Sequence, residues 1–116
     1  AHVQTGEALP RSLFDKMMAA KNYQSGMGML RQVEFALVDM HLHYDYNPEG
    51  TQSAREVLDD IRRQFAVNIP PSFNRFLNAF SHIFAGGYSA GYYSYKWAEV
   101  LSADVYSAFE EAAEKE

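Results

Sequence analysis

The residues best equipped for chemistry lie in one run, Phe80-Ser81-His82-Ile83-Phe84-Ala85-Gly86-Gly87-Tyr88-Ser89-Ala90-Gly91-Tyr92-Tyr93-Ser94-Tyr95-Lys96-Trp97. His82 precedes a Gly86-Gly87 pair, and four tyrosines follow within eight residues. Tyr88, Tyr92 and Tyr95 are spaced four and then three apart, which on a helix stacks three phenols along one face. Each phenol offers a ring to pack a substrate side chain and a hydroxyl to bond a backbone. Gly86-Gly87 removes side-chain hindrance just before that face, so the chain can bend sharply or move there. The same pattern has a plainer meaning: aromatics at helical spacing are core residues, and Gly-Gly is a turn.

Other residues carry less. His41 and His43 lie two apart, so on a helix they point to nearly opposite faces and cannot share a metal ion. Asp45 does not rescue that geometry, and the expectation is no metal site. Glu34 and Glu99 could be mistaken for a catalytic carboxylate pair; capping or ion pairing with Arg31 or Lys96 accounts for them more simply. Arg75 could pair with a peptide carboxylate.

These residues need helices to position them. Residues 1–9 read as an extended lead-in, and Pro10 suits a first helical turn. A first helix is expected over about residues 10–22, with Leu13, Met17 and Ala20 on one side. A second, over about 27–46, carries two apolar stripes: Leu30, Val33, Leu37, Met40 and Tyr44 on one face, Phe35, Val38 and Leu42 on another. A helix apolar on two sides is expected to be buried between neighbours. Asn47-Pro48-Glu49-Gly50 reads as a turn. A third helix starts near Ser53, which forms a capping box with Glu56, and presents Val57, Leu58, Ile61 and Phe65; Arg62 and Arg63 fall outside this stripe and are expected in solvent. Ile69-Pro70-Pro71 ends it. A short helix follows at about 75–80. A last helix is expected over about 89–114, with Trp97, Leu101 and Val105 as its core stripe and an acidic tail frayed in solvent. The fold class is all-α: four main helices in an orthogonal or bundle-like array, with no strand signal.

Composition sets the outer bounds. A chain of 116 residues makes one domain at most, and 47% apolar residues argue for a globular fold. A net charge of −5 with scattered lysines and arginines disfavours nucleic acid as a partner. The absence of cysteine excludes disulfides and thiolate metal sites and is compatible with a reducing, cytoplasmic compartment. No apolar run approaches the length of a membrane span, so no membrane partner is expected.

The run from His82 through Phe109, together with Gln4-Thr5-Gly6-Glu7-Ala8-Leu9-Pro10, Leu13-Phe14-Asp15-Lys16, Ala20 to Ser25, Leu30 to Phe35 and Pro70 to Phe76, resembles the C-terminal catalytic region of the thimet oligopeptidase and oligopeptidase A family of zinc metallopeptidases, the bacterial oligopeptidase A-like members most of all. The resemblance covers nearly the whole chain with many motifs in one order. It implies zinc-dependent hydrolysis of short peptides in a deep channel. The family's zinc site needs His-Glu-x-x-His and a further Glu. No His-Glu pair occurs here, so the zinc-binding part is expected before Ala1 and the family continues past Glu116. On this resemblance residues 1–116 are one helical piece of a catalytic domain, inactive alone, with zinc in the parent and none on this chain.

The resemblance also implies roles. Tyr95 supplies a hydroxyl to the tetrahedral intermediate, whose oxyanion zinc stabilises only in part. His82 is a substrate or oxyanion contact. Tyr88 and Tyr92 contact the peptide, and Gly86 and Gly87 form the loop over it, leaving Tyr93 and Trp97 to face the core. The expected partners are short peptides and the missing remainder of the peptidase. Apolar surface left bare by that remainder is expected to drive self-association. The alternative is a free-standing helical interaction or structural module without catalysis.

Overall fold

A computed structural model describes residues 2–114 of the chain. Helix α1 spans Arg11–Ala20, α2 Ser25–Tyr44, α3 Ala54–Phe65, α4 Phe76–Ala79 and α5 Ser94–Ala113, with one 3-10 turn at Ser81–Ile83 between the last two. The fold class is all-α, as expected, with no strand among the described residues. The last two residues of the acidic tail lie outside them.

Two helices carry the fold. The side of α2 that holds Phe35, Val38 and Leu42 meets the Val57–Leu58–Ile61 side of α3, and Phe80, Ile83 and Tyr92 close the cluster from the following segment. Val38 and Ile83 are fully buried. The α3 start is local chemistry: Ser53 Oγ accepts from the Glu56 amide at 3.2 Å, and the Glu56 carboxylate accepts from the Ser53 amide at 2.7 Å. Both orphan donors of the first turn are thereby satisfied.

Arg62 departs from expectation. It is buried, and its Nε donates to Glu34 Oε1 at 2.9 Å across the α2–α3 interface. The apolar stripe pattern placed it in solvent because the pattern is blind to a carboxylate on a facing helix. Glu34 correspondingly pairs with neither Arg31 nor Lys96, whereas Lys96 does hold Glu99, at 2.7 Å.

The helices do not close into a bundle. Neither α1 nor α5 buries a residue. The radius of gyration is 20.1 Å, against about 13 Å for a compact chain of this length. The stripe of α2 that carries Leu30, Val33, Leu37, Met40 and Tyr44 is only partly covered: its first three members are half-buried and Tyr44 is 85% exposed. Trp97, Leu101 and Val105, expected as a core stripe, all lie in solvent, Trp97 at 66% exposure. The physical reason is directional: α2 and α3 satisfy each other, and the chain between Gly87 and Tyr93 leads α5 away from them, so no described residue covers its apolar side.

Candidate functional site

The glycine pair is a tight turn with specific demands. The Gly86 amide donates to the Ser81 carbonyl at 2.8 Å and the Tyr88 amide to the His82 carbonyl at 3.0 Å. A Cβ on residue 86 would lie 2.7 Å from His82 Cα, so only glycine lets the chain fold back this closely on the His82 backbone. Gly87 takes φ +82°, a left-handed conformation that side chains resist. The Ser89 hydroxyl donates to the Ile83 carbonyl at 2.7 Å and fixes the far side of the turn.

Helix α5 begins only at Ser94, so Tyr88 and Tyr92 are not on a helix and the expected single helical face does not exist. The reason is a residue the sequence analysis passed over. Asp39, fully buried on α2, accepts from three successive backbone amides: Ala90 and Gly91 at 2.8 Å, and Tyr92 at 2.8 Å. Three amides converging on one carboxylate form an anion-binding nest. Its geometry requires Ala90 at φ 52°, left-handed and unusual for a residue with a side chain. The signal was present: Asp39 is a lone acid beside Val38 on the apolar side of α2, and a carboxylate buried there needs several donors.

The turn nonetheless gathers the expected residues. Ring centroids of His82 and Tyr88 are 6.5 Å apart, Tyr88 and Tyr95 4.8 Å, Tyr95 and Tyr92 5.1 Å, and Tyr92 and His82 6.1 Å, so the four rings close a circuit. Tyr92 is its inner member. It is 9% exposed, stacks edge-on against Phe80 at 5.2 Å, and its hydroxyl donates to Gln32 Oε1 at 3.0 Å. Tyr95 is the outer member at 39% exposure, and His82 is exposed. Tyr93 and Trp97, expected to face the core, do not; both are in solvent.

Both titrating phenols are pushed upward. Burial raises Tyr92, partly offset by the positive charges of Arg31 and Lys96. Hydrogen bonding to Tyr88 raises Tyr95, with burial adding to it. Tyr92 and Tyr95 are therefore neutral phenols near neutral pH. Such donors complement a developing oxyanion without themselves ionising near neutral pH.

The two α2 histidines diverge as their spacing dictates. His41 Nδ1 lies 3.0 Å from Asp45 Oδ1, and His43 Nδ1 lies 2.9 Å from the Asp39 carboxylate. Among the described residues no three His, Asp or Glu side chains converge to hold a metal ion, so their donor set does not fit a zinc site. Arg75 donates to the carbonyl of Ser72 at 3.1 Å. A separate polar concavity of about 460 Å³ lies at the far end of α2, lined by His41, Asp45, Gln52 and Asp60 among others. It contains none of the aromatic residues of the wall.

Comparison with known proteins bears on this wall. Oligopeptidase A of Salmonella typhimurium is 57% identical over 110 residues, covering 95% of this chain and 16% of the relative. Probable cytosolic oligopeptidase A of Arabidopsis thaliana is 53% identical over 111 residues, 96% of this chain and 16% of the relative. Dipeptidyl carboxypeptidase of Escherichia coli is 36% identical over 115 residues, again 95% and 16%. The chain thus spans about one-sixth of the length of these relatives. These matches establish kinship and extent; the C-terminal placement expected from the resemblance does not follow from them. The model of Peptidase family M3 matches residues 1–116 from end to end, and with relatives this close the chain belongs to that family.

Proposed function

We propose that this chain forms a substrate-facing, transition-state-stabilising wall of a zinc-dependent oligopeptidase that hydrolyses short peptides, and that it is inactive alone. The observation that carries the reading is the closed circuit of His82, Tyr88, Tyr92 and Tyr95, with Tyr95 as its outer, 39% exposed member. Tyr95 donates to the oxygen of the attacked peptide carbonyl as negative charge builds on it. Tyr88 holds the Tyr95 hydroxyl from the side, and the exposed His82 imidazole contacts the same oxygen or the adjoining peptide. Tyr92 meets the peptide with its ring edge, since its hydroxyl is committed to Gln32. Gly87, whose missing Cβ would face open space, lets the main chain approach the substrate, and Gly86 lets the turn beneath it close on the His82 backbone.

The resemblance to zinc peptidases puts the metal in the parent enzyme. On this reading the hydrolytic water and its activation belong to other residues of the parent. We place the parent in the cytoplasm, the setting named for one Arabidopsis relative. The rival reading, a free-standing helical module, is weaker because α1 and α5 bury nothing of their own.

In the parent peptidase, Tyr95→Phe lowers kcat about 10²–10³-fold with little change in KM. An unchanged kcat, or a loss explained wholly by unfolding, overturns the assignment. The purified chain hydrolyses no peptide; a chelator-sensitive peptidase activity in it would refute its predicted inactivity.

A further inference from the structure

We propose that Asp39 is the positioning residue of this wall: its carboxylate, 2.8 Å from three successive amides, sets where the Tyr95 hydroxyl stands. The inference rests on the functional reading of Tyr95 and extends it to a residue that touches no substrate.

The connection is short and rigid. Asp39 Oδ1 accepts from Ala90, and Oδ2 from both Gly91 and Tyr92. Tyr95 follows Tyr92 by one turn, its amide donating to the Tyr92 carbonyl at 3.2 Å. The start of α5 therefore hangs from the Asp39 carboxylate. The sequence separations of these three contacts, 51 to 53 residues, mean that they register α5 on α2 and do not merely shape a local turn. His43, one turn along α2, lies against Asp39: its Nδ1 is 2.9 Å from the Asp39 main-chain carbonyl, with which it hydrogen-bonds, and 2.9 Å from carboxylate Oδ1, while the His43 ring packs 5.9 Å from Phe84 at the start of the glycine turn. His43 and Asp39 thereby touch the chain on either side of the Gly86-Gly87 pair, at Phe84 and at residues 90–92.

A neutral amide cannot replace this carboxylate. Asparagine offers one accepting oxygen and one NH₂ donor. Whichever way it turns, at least one of the three backbone donors faces another donor. The turn at Ala90, left-handed at φ 52°, then loses part of what holds it, and the Tyr95 hydroxyl moves from its mark. Displacements of about 1 Å can lower a rate by about 10²-fold.

The test is a double-mutant cycle in the parent peptidase, measuring kcat and KM for a short peptide with wild type, Asp39→Asn, Tyr95→Phe and the double variant. Asp39→Asn is expected to lower kcat about tenfold to a hundredfold, with KM changed less than about threefold. In the double variant its effect disappears, leaving the rate within about twofold of Tyr95→Phe alone, because two residues acting through one hydroxyl are not additive. Multiplicative losses, or an Asp39→Asn enzyme with normal kcat, overturn the positioning role while the Tyr95 assignment stands. An unchanged kcat in Tyr95→Phe instead removes the functional reading itself. If Asp39→Asn does not accumulate folded, the cycle is run in an Ala90→Gly background, where glycine accepts the left-handed turn without strain; the same outcomes decide.

Discussion

Arg62 donates to Glu34 at 2.9 Å with both side chains 3% exposed, so the α2–α3 interface closes over an ion pair inside an otherwise apolar contact. The guanidinium also lies 5.7 Å from the Phe76 ring, and its Nη2 has no partner among the described residues. A pair buried this deeply returns little net stability over apolar residues of the same volume, but breaking it strands a charge. Arg62→Ala or Glu34→Gln is therefore expected to lower stability by about 3–5 kcal/mol. Urea titration followed by circular dichroism reads this. Replacing both partners, Glu34→Leu with Arg62→Met, should cost less than either single change; a double variant as damaged as the singles would contradict the ion-pair account.

The capping box of α3 makes stability depend on acid in a defined direction. Hydrogen bonds from the Ser53 amide and hydroxyl hold Glu56 below its ordinary value of 4.5, against weaker opposition from burial and from Asp59. A depressed carboxylate contributes stability above its unfolded value, and that contribution is lost as pH falls through the folded one. Ser53→Ala should cost about 1 kcal/mol at neutral pH. The gap between variant and wild type should narrow as pH falls below about 4. Denaturant midpoints at pH 7 and pH 3 check this; a gap that is constant with pH would mean that Glu56 does not report the cap.

Gly86→Ala tests the turn. The added Cβ would sit 2.7 Å from His82 Cα and 2.9 Å from its carbonyl oxygen, both backbone atoms with nowhere to swing. The expected cost is about 1–3 kcal/mol, with displacement of the His82 ring visible as a shift of its imidazole resonances. A Gly86→Ala chain with unchanged stability and spectrum would show that the two strands of the turn stand further apart.

The bare side of α5 predicts association of the isolated chain. Trp97, Leu101 and Val105 are each more than half exposed on one helix, and α1 adds Leu13 and Met17. Contiguous apolar surface of this kind seeks a cover. Sedimentation of the purified chain should show oligomers, and Trp97→Glu with Leu101→Glu should shift it toward monomer without loss of helical signal. A monodisperse monomer from the unaltered chain would count against the expectation.

What could be read from the sequence follows the range of each interaction. The Ser53–Glu56 cap, the turn at Asn47–Gly50 and the five helical segments are encoded within a few neighbouring residues, and periodicity or turn chemistry reveals them; α3 nonetheless ends at Phe65, before the Ile69-Pro70-Pro71 stop expected for it. Arg62 was misplaced because its partner stands 28 residues away. The tyrosines were correctly grouped but for the wrong geometric reason: they meet through a turn held by Asp39, 51 to 53 residues upstream, and not through helical spacing. The core stripe read into α5 was an apolar pattern without an address, since such a pattern states that a face needs a partner and not which chain segment provides it.

The rings around Tyr95 have a consequence for selectivity. Tyr92 and Tyr95 both ionise above the ordinary phenol value of 10.0, so neither carries charge at neutral pH. If this chain lines a peptide channel, the Tyr95 hydroxyl and the Tyr92 ring edge meet what every peptide shares, its carbonyls and amides, and bring no formal charge to the contact. Selection between an acidic and a basic side chain would then have to come from charges other than these two phenols.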